Sequence, residues 1–175
     1  AIVIGAHFDH LGIKKKDSAN PVIYNGADDN ASGTATLIEV ARMMKEREGE
    51  LKRTVVFAAF DAEELGLHGS KAFVKTMLDS EGFPKPALMV SMDMVGWLEA
   101  GGNLRIKGVA MLKNGRKIME SLDTPEGLRI KLKNFDNMMM GGSDHDSFAE
   151  KGIPAFYMST GMKSPYHKPE DTAEK

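Results

Sequence analysis

The stretch TVVFAAFDAEELGLHGSKAFVKTMLDS, residues 54–80, contains a strand, a loop and a helix in succession. Residues 54–60 form an apolar run without alternation, which is typical of a strand buried on both faces. Residues 69–80 predict a helix, and Ser70 is a candidate to cap its start. Between the two, Glu63 and Glu64 place like charges at the end of a buried strand, where desolvation is costly. The stretch therefore predicts an α/β fold and a functional reason for the two glutamates.

Predicted strands and helices alternate along the rest of the chain. Further strands are predicted at residues 1–6, 87–93, 103–109, 127–133 and 153–159, and further helices at 34–50, 113–122 and 143–152. The whole segment between strand 1–6 and the first helix, up to and including NGADDNASG (25–33), is predicted to be a polar loop that contains glycine. In helix 34–50, the amphipathic spacing is carried by Leu37, Ile38, Ala41 and Met44. This alternation predicts a three-layer αβα sandwich with a mostly parallel central sheet, formed by residues 1–175 as one domain.

Composition excludes several classes of function. The chain has 175 residues, a net charge of −2, and 27% charged residues, so it carries no excess of basic residues for binding nucleic acid. No apolar run approaches the roughly 20 residues that cross a bilayer. The absence of cysteine excludes disulfides and thiolate metal ligands.

Acidic and histidine side chains are concentrated at the carboxyl ends of the predicted strands and in adjacent loops. These residues are His7, Asp9, Asp28, Asp29, Glu63, Glu64, Asp93 and His167. Taken singly, each has a common structural explanation: an aspartate can stabilise a turn, a glutamate can be solvated in a loop, and a histidine can have its hydrogen bonds made within the fold. A parallel sheet would, however, bring them to one edge, where ligands of α/β proteins bind. Imidazole and carboxylate together predict a site for zinc, or for cobalt or manganese.

Six motifs in sequence order resemble those of the M28 family of zinc aminopeptidases. They are HFDHLG (7–12), NGADDNASGTA (25–35), FAAFDAEELGLHGS (57–70), SMDMVG (91–96), GGSDHDSF (141–148) and YHKPEDT (166–172). The resemblance implies a zinc-exopeptidase fold of the phosphorylase/hydrolase-like type. It also implies two zinc ions per chain and peptide substrates with a free N-terminus.

The resemblance further implies a role for each matching residue. His7 and Asp93 would bind one zinc, Glu64 and His167 the other, and Asp28 would bridge both. Glu63 would act as general base towards a water activated by the metals. Asp9 would orient His7, and Asp29 would lie in the second shell beside a cis peptide. No role is implied for Asp144 and His145.

Other expectations concern the substrate, the location and the chain itself. Met138, Met139 and Met140 predict a preference for apolar N-terminal residues. The resemblance favours an extracytoplasmic location, periplasmic or secreted, and suggests that the chain is truncated at both ends. Two alternatives stay open: another reaction on this scaffold, as in a carboxypeptidase or a single-zinc glutaminyl cyclase, or an inert metal-binding or receptor-like domain. The sequence does not indicate an oligomeric state.

Overall fold

The computed structural model describes residues 1–15, 20–135 and 142–174, except for the side chains of residues 15, 100 and 101. The strands in this part of the chain are β1 (Ile2–His7), β2 (Gly12–Lys15), β3 (Pro21–Tyr24), β4 (Val55–Phe60), β5 (Leu88–Met92), β6 (Leu104–Lys107), β7 (Ile130–Leu132) and β8 (Ala155–Ser159). The α-helices are α1 (Gly33–Glu46), α2 (His68–Asp79), α3 (Leu98–Gly101), α4 (Gly115–Glu120) and α5 (His145–Ala149). Short helical turns of other types cover Ala27–Ser32, Glu48–Glu50 and Val109–Met111.

Six strands form the central sheet, in the order β4-β1-β5-β8-β6-β7. Neighbouring strands are parallel except for β6 and β8, which are antiparallel. Helices α1 and α4 cover one face of the sheet, and α2 and α5 cover the other. This arrangement confirms the predicted three-layer α/β fold. No helix in the described ranges is long and apolar enough to cross a membrane.

The lack of alternation in β1 follows from burial on both of its faces. Val3 packs with Phe148 on the side of α2 and α5, whereas Ile4 packs with Leu37 and Met92 on the side of α1. Each large apolar side chain buried in this way stabilises the fold by about 1.5–3 kcal/mol. The two cores therefore hold β1 rigidly in the middle of the sheet, and the polar residues that follow it start from a fixed position.

The structure corrects three predictions about local structure. The predicted polar loop before the first helix contains an antiparallel ribbon, β2–β3, in which Ile13 pairs with Ile23. These side chains are 62% and 54% exposed, so the ribbon lacks the pattern of buried apolar residues from which a strand is predicted. Ile38 is 67% exposed, because it lies about 100° around α1 from the buried Leu37. Ser70 is not a cap, since α2 begins at His68; its hydroxyl instead contacts that of Ser147 at 2.8 Å.

The carboxyl ends of β1, β4 and β5 open towards the same edge of the sheet. Strands β4 and β5 both follow β1 in the chain, and they lie on its two sides. Such a point, where successive connections diverge to opposite sides, leaves a crevice between strand ends that commonly holds ligands. The topology therefore favours a binding site just beyond His7, the last residue of β1.

Asp171 holds the loop before α1 in place from the C-terminal end of the chain. Its buried carboxylate accepts hydrogen bonds from the backbone N–H of Asp28 at 3.0 and 3.1 Å and from that of Asp29 at 3.1 Å. The backbone N–H of Ala27 also donates to the Asp171 carbonyl at 3.1 Å. Bonds to a carboxylate are among the stronger hydrogen bonds in proteins, so the loop and the C-terminal segment form one rigid unit.

Replacing Asp171 with alanine should lower the free energy of unfolding by about 2–6 kcal/mol, because two buried N–H groups each lose a partner worth about 1–3 kcal/mol. Urea denaturation followed by circular dichroism measures this change. The matched control is Glu170→Ala, because Glu170 is exposed and should change stability by less than about 0.5 kcal/mol. Equal stabilities of the two variants would contradict the assigned role.

Candidate metal centre

A cavity of about 390 Å³ lies at the edge of the sheet predicted by the topology. Its polar wall brings together residues that are far apart in the sequence, namely His7, Asp29, Glu63, Glu64, Asp93 and His167. His7 ends β1, the two glutamates follow β4, and Asp93 follows β5. The predicted convergence at the strand ends is therefore found in the structure.

His7 is the centre of a first group of possible ligands. Its Nε2 lies 3.4 Å from Oδ1 of Asp29 and 3.6 Å from Oδ1 of Asp93, and its ring is 1% exposed. On the other side of the ring, Nδ1 lies 3.6 Å from Oδ1 of Asp9 and 3.2 Å from the Asp9 carbonyl oxygen. Asp9 therefore lies where it could orient the ring, which is the role that the resemblance implies for it.

A second group lies beside the first and shares Asp29 with it. Oδ2 of Asp29 is 3.2 Å from Nε2 of His167, which is also 3.1 Å from Glu64. His10, from the loop after β1, places its Nδ1 3.0 Å from Oε1 of Glu64. The possible ligand atoms of His10, Asp29 and Glu64 lie within 4.8 Å of one another, as do those of the first group.

The structure corrects the positions expected for Asp28 and Asp29. Asp29 directs one carboxylate oxygen to each group, whereas Asp28 lies outside both. Oδ1 of Asp28 accepts hydrogen bonds from the Gly96 N–H at 2.8 Å and the Ser32 hydroxyl at 3.3 Å. In two consecutive aspartates, the local turn Ala27–Ser32 decides which carboxylate faces the cavity. The expected cis peptide is present between Asp29 and Asn30.

Asn30 fixes the loop that presents Asp29. Its amide nitrogen donates to the Met92 carbonyl at 3.0 Å, and its amide oxygen accepts from the N–H groups of Gly33 and Met94 at 3.0 and 3.2 Å. Gly33 is required for this approach, because a Cβ there would lie 2.3 Å from the Asn30 oxygen and 2.4 Å from the Met92 oxygen. The loop is thus fastened to the end of β5, next to Asp93.

Asp9 also positions the two glutamates from the opening sequence stretch. Its carboxylate accepts hydrogen bonds from the backbone N–H groups of Glu63 at 3.0 Å and Glu64 at 3.2 Å. Both glutamate side chains then line the cavity, but only Glu64 belongs to a ligand group within the described residues. The neighbours are therefore not equivalent.

Burial and crowding shift the pKa values of His7, in the first group, and of Glu63, which lies outside both groups in the described residues. Burial opposes the charged form of His7, but its hydrogen bonds with Asp29 and Asp93 outweigh this and raise its pKa to about 11. Burial raises the pKa of Glu63 to about 8, and the charges of Asp93 and Asp144 add to the increase. A cavity with this many carboxylates therefore favours cations.

Two more carboxyl groups show the same effect. Burial, together with the charge of Asp29, raises the pKa of Glu64. Asp144 is fully buried at the start of α5, and burial with the charges of Asp93 and Asp9 raises its pKa to about 6. Asp144 therefore adds negative charge behind the two ligand groups. His145, next to it, stacks on Phe135 with ring centroids 5.0 Å apart and belongs to neither ligand group of the described residues.

The residues present fit divalent transition metals. Imidazole nitrogens with carboxylate oxygens are the donor set typical of zinc in cysteine-free sites. Both nitrogens of His10 and Oδ2 of Asp29 are buried without a hydrogen-bond partner in the described part of the chain. Such orphaned polar atoms are costly unless a cation or another group binds them. Sequence reasoning missed His10 and Asp171, although His10 stands three residues after His7.

Comparisons with known proteins agree with the geometry. The sequence profile of peptidase family M28 matches residues 1–175. The aminopeptidase YwaD of Bacillus subtilis is 32% identical over 99% of this chain and 36% of its own length. Leucine aminopeptidase 1 of Uncinocarpus reesii is 30% identical over 99% of this chain and 45% of its own. The chain therefore belongs to peptidase family M28.

A solved structure gives the same result at the level of the fold. The LapA aminopeptidase of Legionella pneumophila superposes with a TM-score of 0.73 at 26% identity, over 99% of this chain and 45% of that one. The chain thus spans less than half the length of these three relatives. Family membership implies metal dependence, and the described residues supply two groups of suitable ligands.

Zinc should raise the thermal midpoint of the chain, because an ion that binds only the folded state stabilises it. At one hundred times the dissociation constant, each ion adds about 2.7 kcal/mol. Differential scanning calorimetry after chelator treatment, with and without zinc, measures the shift. Magnesium is the control, because it prefers an all-oxygen octahedral shell and should have a much smaller effect. Identical midpoints with zinc and with chelator would contradict a metal centre.

Proposed function

We propose that this member of peptidase family M28 carries the catalytic site of a di-zinc aminopeptidase, which hydrolyses the N-terminal peptide bond of peptides with a free N-terminus. One observation carries the proposal: two adjacent ligand groups share Asp29, with one carboxylate oxygen directed to each. A shared carboxylate between two donor sets is the arrangement that two-metal hydrolases use. Cobalt or manganese could replace zinc with the same donors.

His7, Asp29 and Asp93 would hold one ion, and Asp29, Glu64 and His167 the other. Bound there, the two ions would supply a water of lowered pKa and electrophilic activation of the peptide carbonyl. The N–H groups held by Asp9 keep both glutamates at the cavity wall. Glu63, which is outside both ligand groups in the described residues, is free to accept the proton of the attacking water and pass it to the leaving amine.

The alternatives receive less support from the site. A single-zinc cyclase needs one ligand set, whereas this cavity holds two sets joined by Asp29. An inert receptor-like domain would not need a complete set of donors together with an uncommitted carboxylate at Glu63. No feature of the described residues favours carboxypeptidase action. An extracytoplasmic location stays a prediction that rests on the resemblance.

The remaining wall of the cavity supports a preference for an apolar N-terminal residue. It is formed by Leu67, Met94, Tyr157, Met162 and Tyr166. Tyr166 stacks on His167 with ring centroids 3.8 Å apart, so it also fixes the position of a ligand. Met138, Met139 and Met140, which predict the same preference from the sequence, lie outside the described residues. The proposal therefore rests on the residues of the wall.

A panel of aminoacyl-anilides should show kcat/KM at least roughly tenfold higher for leucine, methionine and phenylalanine than for glutamate and lysine, because an apolar wall does not compensate a buried charge. Met162, which is 66% exposed at the wall, offers a direct check. Met162→Ala should lower kcat/KM for leucine anilide by about fourfold for each methylene group that no longer packs on the substrate. Fastest turnover of a charged residue would contradict the preference.

The same substitution at the two neighbouring glutamates separates base from ligand. Glu63→Gln cannot accept the proton of the water, so kcat should fall by about 10²–10⁴-fold with KM and metal content little changed. Glu64→Gln weakens one ligand, so one ion should bind less tightly and excess zinc should restore part of the activity. Kinetics measured together with metal content distinguishes the two results.

Glu81→Gln is the control for both variants, because Glu81 is exposed beyond the end of α2. It should retain full activity and both ions. Metal loss in Glu63→Gln with full metal content in Glu64→Gln would reverse the two roles. Normal activity of Glu63→Gln would reject hydrolysis by this route.

A further inference from the structure

His10 is a buried histidine that the proposed mechanism does not use. It follows β1 by three residues, and its side chain is only 9% exposed. Neither ring nitrogen makes a hydrogen bond of acceptable geometry with the described residues. An imidazole buried in this state loses its hydrogen bonds to water without replacement, which costs free energy. Its position therefore needs an explanation.

Nδ1 of His10 is directed into the second ligand group. It lies 3.0 Å from Oε1 of Glu64 and 3.8 Å from Oδ2 of Asp29. The His10 ring also meets that of His167 edge to face, with centroids 5.7 Å apart. Asp29 and Glu64 therefore contact both histidines, and their carboxylate oxygens lie 3.2 and 3.1 Å, respectively, from Nε2 of His167.

Gly26 provides the space that the His10 ring occupies. A Cβ at Gly26 would lie 2.6 Å from Cγ and 2.8 Å from Cδ2 of His10. Gly26 also has a φ of 68°, which other residues adopt only with strain. The backbone next to the Ala27–Ser32 turn is therefore shaped to bring His10 against the carboxylates.

The separations are close to those of donors around one ion. Nitrogen and oxygen donors about 2.0–2.2 Å from zinc, at tetrahedral angles, lie about 3.3–3.6 Å apart. Glu64 and Asp29 make four contacts with the ring nitrogens of His10 and His167. Three of these distances are 3.0–3.2 Å, slightly below this range, and the fourth, from His10 to Asp29, is 3.8 Å, slightly above it. We propose that His10 binds the second metal through Nδ1, together with Asp29, Glu64 and His167.

This inference rests on the proposed function and makes the two metal sites unequal. The second ion would have four protein donors, two of them imidazoles, whereas the first would have His7, Asp29 and Asp93. A site with three protein donors keeps a position open for water or substrate, and a site with four is closer to a structural site. The second ion would therefore be held more tightly, and the first would be the one more easily exchanged.

The competing explanation is that His10 only donates a hydrogen bond from Nδ1–H to Glu64. The two explanations differ in where the ring proton is. A ring that binds metal through Nδ1 carries its proton on Nε2 and lies within direct reach of the ion. A ring that donates to Glu64 carries it on Nδ1 and has no bond to the ion.

Proton NMR of the full chain loaded with cobalt(II) distinguishes them without using activity. Ring N–H protons of metal-bound histidines give strongly shifted signals that disappear in D₂O. With two cobalt ions per chain, three such signals are expected, from His7, His10 and His167. His10→Ala should remove one signal and weaken binding of one ion more than the roughly 10–100-fold that loss of a supporting residue causes.

The control is His68→Ala, because His68 is exposed and outside both ligand groups in the described residues. It should keep all three signals and both affinities. If His10→Ala does not fold, His10→Gln and the signal count of the unchanged chain decide the question. Two signals with two bound ions would overturn the role of His10 and leave the proposed function intact. Fewer than two ions per chain would overturn both.

Discussion

Mutual repulsion among buried carboxylates is the constraint on which this structure depends. Asp29, Glu63, Glu64 and Asp93 line one cavity, and Asp144 lies buried behind it. Burial raises the pKa values of Glu63, Glu64 and Asp144, and the charges of neighbouring carboxylates add to the increase. Divalent cations remove the repulsion directly. The surrounding fold can then be understood as the framework that holds these groups together until the ions bind.

That framework consists of three polar residues that bind backbone rather than metal. Asp9 accepts from the N–H groups of the glutamate loop, Asn30 fastens the aspartate loop to the end of β5, and Asp171 holds the same loop from the C-terminal segment. Each joins segments that are distant in the sequence. These hydrogen bonds place the ligand side chains through the backbone, which is how precise metal sites are supported.

Sequence patterns predict most of the fold and much of the site, but they fail where a local turn or a side-chain position decides. The strands without alternation were recognised because burial on both faces selects apolar residues throughout. The ribbon β2–β3 was missed because Ile13 and Ile23 face solvent and show no core pattern. The structure assigns Asp29 rather than Asp28 to the ligand groups, and this depends on the conformation of the turn Ala27–Ser32. Because the two neighbouring residues are both aspartates, the sequence alone does not distinguish them. The position of the His10 ring depends on the space left by the missing side chain of Gly26, and the sequence spacing of the two residues does not predict this contact.

The contact between Glu64 and His167 joins positions 103 residues apart. An ion that binds both would tie these two positions together in the folded state and, because it binds only that state, would stabilise it by mass action. The chain has no cysteine, so it cannot form a permanent cross-link of its own. Withdrawal of metal would remove this tie, whereas the hydrogen bonds of Asp171 would still hold the C-terminal segment. The stability of the folded chain would then depend on the concentration of free metal.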